Sequence, residues 1–164
     1  MKRIIFLDVD GVLNSHIVAE EWHQRTNTGG YGGWFDEKEV ATKENVKWGH
    51  VNVHNLREII RATNAEIVIS SDWRKNFSID KFKEMFKLYG WNAPVIDRTP
   101  AGYSSRGLEV NTWLKDNPDI DSFVIIDDTD MFLAEQKPKF VNTDPEVGLT
   151  WKDANKAIEI LLNH

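Results

Sequence analysis

An apolar run that closes on two aspartates sets the tightest limit on what this chain can become. Ile4, Ile5, Phe6 and Leu7 lead directly into Asp8-Val9-Asp10-Gly11-Val12-Leu13. A short continuous apolar stretch bounded by polar residues reads as a strand buried on both faces, as in a parallel sheet. Parallel strands need crossover connections, so helices must alternate with the strands.

The rest of the sequence supplies that alternation. After a first strand over 3–8, a helix over 50–63 carries the stripe Val53, Leu56, Ile59 and Ile60. A strand over 67–69 ends at Ser70 and Ser71. In the next helix, over 79–89, Phe82, Met85, Phe86 and Tyr89 share a face; Ser78 can cap its start and Gly90 can end it. A short strand over 95–96 precedes a helix over 106–115, which Asn117-Pro118 stops. A strand over 123–127, a weaker one over 139–141 and a last helix opening at Thr150 complete the pattern. Asp153 stands where a capping box places its acidic residue. The expected class is α/β with a mainly parallel sheet.

With 164 residues, 41% of them hydrophobic, the chain has enough material for one core, and we expect one domain over 1–164. There is no cysteine, which excludes disulfides, thiol catalysis and thiolate metal sites. The apolar run at Ile4–Leu7 is too short for a signal sequence or a membrane span, so the expectation is a cytoplasmic protein with no membrane partner. A net charge of -6 disfavours strong binding to duplex nucleic acid, but leaves room for a local basic pocket that takes one phosphate. The stretch 14–49 lacks periodicity and holds Gly29, Gly30, Gly32 and Gly33 around Tyr31, followed by Trp34. It reads as an irregular insertion, either a lid over the site or a solvated surface hairpin.

In parallel α/β sheets, ligands bind beyond the carboxyl ends of the strands. The polar residues obey that rule: Asp8 and Asp10 follow strand one, Ser70 and Ser71 strand two, Asp127 and Asp128 strand four. A carboxylate can attack phosphorus and form an aspartyl phosphate. A second carboxylate two residues on shares its face while the backbone stays extended, and can act as acid and base. Asp8 is thus the candidate nucleophile and Asp10 the candidate acid/base. So many carboxylates repel each other and a phosphate, which makes a cation close to necessary. Mg²⁺ suits oxygen ligands, and its candidate ligands are Asp8, Asp127, Asp128 and Asp10, the last through its carbonyl. For the phosphate, Ser70 offers a hydroxyl and Arg106 a positive charge, with Ser71 competing for the role of Ser70. Trp73-Arg74 offers either an indole to stack and a guanidinium for phosphate, or a core ring and an ordinary ion pair.

At these residues the sequence resembles the haloacid dehalogenase-like (HAD) superfamily of phosphatases. Asp8-Val9-Asp10-Gly11-Val12-Leu13 looks like its first motif, Ser70 like its second and Asp127-Asp128 like its fourth. The third motif is normally a Lys; Arg106 is the best match here. The likeness is closer to small HAD domains associated with RNA-repair proteins. It rests on Ser70-Ser71-Asp72-Trp73-Arg74, Arg106-Gly107-Leu108-Glu109-Val110, Asp127-Asp128-Thr129-Asp130-Met131, and Thr143-Asp144 with Gly148-Leu149-Thr150. The resemblance implies a Rossmann-like three-layer sandwich with sheet order 5-4-1-2-3 and a small or absent cap. It further implies a Mg²⁺-dependent phosphomonoesterase working through an aspartyl phosphate. A nucleotide, another phosphorylated small molecule or a nucleic-acid terminal phosphate would be its substrate. Two alternatives stay open: a receiver-like signalling module phosphorylated at Asp97, and a phosphotransferase that passes the phosphoryl group to an alcohol.

Overall fold

The computed structural model describes residues 1–26 and 35–163. Its strands are β1 (Arg3–Leu7), β2 (Glu66–Ile69), β3 (Val95–Arg98), β4 (Ser122–Asp127) and β5 (Phe140–Asn142). Its helices are α1 (His16–Thr26), α2 (His50–Thr63), α3 (Ile79–Lys87), α4 (Arg106–Asp116) and α5 (Trp151–Leu162). All strands run parallel, in the order β3-β2-β1-β4-β5. This is the expected order read from the opposite edge.

The period of two along each strand divides the core into two layers. Ile5 and Leu7 of β1 join Ile67, Ile69, Val124 and Ile126 on one face of the sheet. There they pack against Leu56 and Ile59 of α2, Phe82 and Phe86 of α3, and Ala157 and Leu161 of α5. Ile4 and Phe6 project to the other face with Val68 and Ile125, against Val110 and Trp113 of α4. Helices on both faces of one sheet make the three layers.

This alternation also aims the site. In the ladder, Leu7 pairs with Ile69 on one side and Ile126 on the other. One step further, Asp8, Ser70 and Asp127 stand side by side. Backbone hydrogen bonds carry the register past the strand ends: the Asp8 amide donates to Ile126 O (3.0 Å) and the Ser70 amide to Leu7 O (3.0 Å). All three continue the parity of Phe6, Val68 and Ile125, so they belong to the α4 face.

The stretch 14–49 differs from the expectation of a wholly irregular insertion. It contains α1, and its Phe35, Ala41, Val46 and Trp48 join the core. The start of α1 is secured from far along the chain: the His16 amide donates to Pro145 O (3.0 Å) and the Ile17 amide to Glu146 O (3.2 Å). Only Ser15 Oγ, which accepts from the Val18 amide at 3.2 Å, is a local signal. The glycine cluster with Tyr31 and Trp34, in the middle of the stretch expected to form a lid or a surface hairpin, lies outside the described residues. Two 3-10 turns, Asp72–Lys75 and Ala134–Lys139, also have no periodicity that a sequence pattern would reveal.

Candidate active site

Three carboxylates converge at the carboxyl edge of the sheet. Oxygens of Asp8, Asp127 and Asp128 lie within 4.8 Å of one another. Asp8 and Asp127 are buried, and Asp128 is partly exposed. Oδ1 of Asp8 is buried and has no hydrogen-bond partner among the described residues. One guanidinium faces this charge. Arg106, in the first turn of α4, places Nη1 3.1 Å from Asp8 Oδ2 and pairs with Asp127 Oδ2 through the same atom. Its Nη2 lies 3.5 Å from Asp72 Oδ2.

The electrostatics follow from burial. Loss of water, and then the neighbouring Asp127 charge, push the Asp8 carboxyl up to about 8 against the pull of Arg106. Burial also raises Asp127, opposed by Arg106 and by the Thr129 amide, which donates to Asp127 Oδ1 at 2.9 Å. Burial works against the Arg106 charge, but Asp8 and Asp127 outweigh it and hold the guanidinium above its ordinary value. Among the described residues, the one guanidinium paired with these acids therefore leaves the buried set undercompensated.

That is the condition under which a cation binds. The donors are hard carboxylate oxygens, they cluster within 4.8 Å, and a buried one lacks a partner among the described residues. The residues present fit a divalent metal ion held by Asp8, Asp127 and Asp128. The Asp10 side chain is not part of this cluster. It is exposed, and it accepts from Asn14 Nδ2 at Oδ1 (2.7 Å) and from Trp73 Nε1 at Oδ2 (3.1 Å). A metal role for Asp10 thus reduces to its carbonyl.

Gly11 lets the chain leave the site. Its φ is +74°, and a Cβ there would stand 2.5 Å from Asp128 Oδ2. Thr143 finds a purpose that its sequence context did not disclose: its hydroxyl donates to the Gly11 carbonyl at 2.8 Å. The end of β5 thereby holds the turn that follows the two aspartates.

Among the phosphate-binding candidates, the structure separates three. Ser70 is buried and its Oγ has no partner among the described residues. Ser71 Oγ instead caps the 3-10 turn, accepting from the Trp73 amide at 3.2 Å. Arg74 offers nothing to a phosphate, which corrects its assignment. It is 2% exposed, and its donors reach Thr99 O (3.0 Å), Ser70 O (3.1 Å), Ser71 O (2.9 Å), Pro100 O (3.1 Å) and Glu109 Oε2 (2.7 Å). A guanidinium has five N–H groups, so all are taken. Arg74 ties the loop after β2 to the loop after β3 and to α4.

The family model for the HAD domain in Swiss Army Knife RNA repair proteins matches residues 4–154. The chain belongs to this family. Searches of the curated proteins and of the solved structures returned no significant match. Membership places this HAD domain among HAD-type hydrolases, and its all-parallel sheet with helices on both faces is the corresponding fold. In the described residues of the HAD domain, no helix is long and apolar enough to cross a membrane.

Asn14 and Asp72 are functional-site neighbours that the sequence did not single out. Asn14 lies four residues from Asp10 in a loop, a spacing that signals nothing outside a helix. Asp72, in the 3-10 turn after β2, meets Arg106 across 34 residues of sequence, which no local pattern records.

Proposed function

We propose that the protein is a Mg²⁺-dependent phosphomonoesterase with Asp8 as nucleophile. The observation that carries this reading is the Asp8 carboxylate, buried at the sheet edge among Asp127, Asp128 and Arg106, with one oxygen that has no partner among the described residues. One carboxylate oxygen of Asp8 attacks phosphorus, and the bond from phosphorus to the leaving oxygen breaks. Asp10 delivers the proton that the leaving oxygen takes up. Asp10 then accepts a proton from water, water attacks the aspartyl phosphate, and Asp8 is released with inorganic phosphate. Ser70 donates its hydroxyl to a phosphate oxygen, and Arg106 offsets the charge of the transferring group. When bound, Mg²⁺ neutralises charge on the phosphoryl oxygens and on the acids that hold it.

The family description points to RNA repair, which supports a nucleotide or a nucleic-acid terminal phosphate as substrate. The net charge of -6 favours recognition of the end over recognition of a duplex. The receiver reading loses support, because Asp97 lies within β3 and accepts from Trp113 Nε1 at 2.7 Å. A screen with Mg²⁺ over mononucleotides, 3'- and 5'-phosphorylated oligonucleotides and sugar phosphates tests the proposal. Turnover should vanish in Asp8→Asn with the fold intact. Near wild-type turnover in that variant would refute the nucleophile. An added acceptor alcohol separates hydrolysis from phosphotransfer by its product.

A further inference from the structure

An exposed aspartate that must deliver a proton in one direction needs something to hold it. Free in solvent, its carboxylate would sample several rotamers. Asp10 is exposed, yet both its oxygens are engaged, one by Asn14 Nδ2 at 2.7 Å and the other by Trp73 Nε1 at 3.1 Å. Each prong is itself fixed. Asn14 Oδ1 accepts from the Gly11 amide at 3.2 Å, and that amide also donates to Asn14 O at 2.8 Å. The Trp73 ring packs 6.1 Å from the ring of Trp48 and 5.8 Å from that of Phe77, and its amide is held by Ser71 Oγ. Arg74, next in sequence, pins the turn with buried hydrogen bonds to Ser70 O and Ser71 O.

We propose that Trp73 and Asn14 are positioning residues that clamp the Asp10 carboxylate toward the leaving-group oxygen. The inference rests on the role of Asp10 in the proposed phosphatase reaction. A carboxylate oxygen has two acceptor positions, so one N–H on each leaves a position on each for the travelling proton. The clamp acts in the first chemical step, in which the bond from phosphorus to the leaving oxygen breaks and that oxygen takes the proton of Asp10. The same turn then serves several parts of the site. Ser70 precedes it, Asp72 reaches Arg106, and Trp73 reaches Asp10.

The dependence on leaving group reads this role directly. An alkyl oxygen needs its proton, whereas p-nitrophenolate leaves without one. A merely structural defect would lower both substrates alike. Trp73→Phe keeps the ring and removes the N–H. We expect kcat/KM for an alkyl phosphate monoester to fall about tenfold, a part of the roughly 10²–10⁴ that a general acid supplies. The loss on p-nitrophenyl phosphate should be several-fold smaller, and KM for both should change little. In an Asp10→Asn background, adding Trp73→Phe should cause no further loss. Equal losses on the two substrates, no loss on either, or full additivity with Asp10→Asn would overturn the clamp. If Trp73→Phe does not fold by thermal melting, Asn14→Ala carries the same comparison. Failure of the phosphatase reading itself would appear separately, as turnover that survives Asp8→Asn.

Discussion

Arg106 Nη1 lies 3.1 Å from Asp8 Oδ2 and pairs at the same time with Asp127. One guanidinium thus answers two buried acids, and a third acid, Asp128, stands within 4.8 Å of both. This imbalance makes stability depend on pH. The Asp8 carboxyl is raised from 3.8 to about 8 in the fold, so between those values the folded state holds a proton that the unfolded chain has released. Stability without metal is therefore greatest below about pH 4 as far as Asp8 is concerned, and its contribution falls as pH rises through 8. Denaturant titrations between pH 4 and 8 in EDTA should show this decline. Asp8→Asn should flatten it, and Mg²⁺ at pH 8 should raise Tm.

Metal binding should track the carboxylate cluster. Stripping with EDTA should abolish turnover, and Mg²⁺ should restore it. Asp128→Asn should raise the Mg²⁺ concentration for half-activity by at least about 10–100-fold, the range for losing a group that only supports a ligand, because Asp128 is itself a candidate ligand. Asp127→Asn should raise it further, since Asp127 is fully buried among the candidate ligands. Calorimetric titration of Mg²⁺ into each variant checks the order without relying on activity.

Gly11→Ala tests the turn behind the aspartates. The left-handed backbone there disfavours alanine by about 1–2 kcal/mol, and the new Cβ would meet Asp128 Oδ2 at 2.5 Å. Asp128 must swing aside. We expect a lower Tm and weaker Mg²⁺ binding together, measured by melting with and without the ion.

Arg74 should matter for folding more than for substrate. Arg74→Ala leaves Glu109 buried without its partner, a loss of about 3–5 kcal/mol for a buried pair that is broken from one side. Arg74→Lys should fall between the two, because an ammonium has three donors in place of five. Urea unfolding measures both.

The alternation of strand and helix was legible in the residues because burial writes its period into sequence. Helices α2, α3 and α5 carry apolar stripes, and Ser78 and Thr150 cap α3 and α5 as expected. Helix α1 was not legible, because Pro145 and Glu146, distant in sequence, accept its first amides. The phosphate role given to Arg74 failed for a related reason: a guanidinium looks the same in sequence whether water or five protein acceptors surround it.

Asp8, Ser70 and Asp127 were placed at one sheet edge by sequence alone, since each ends an apolar strand and parallel strands end together. Parity then turned all three to the α4 face. Tertiary structure decided what surrounds them. It set Arg106 against Asp8, drew Thr143 onto Gly11, and closed Trp73 and Asn14 on Asp10. Periodicity records which side of an element is buried. Partners brought together by loops and 3-10 turns leave no period, so only the folded chain reveals them.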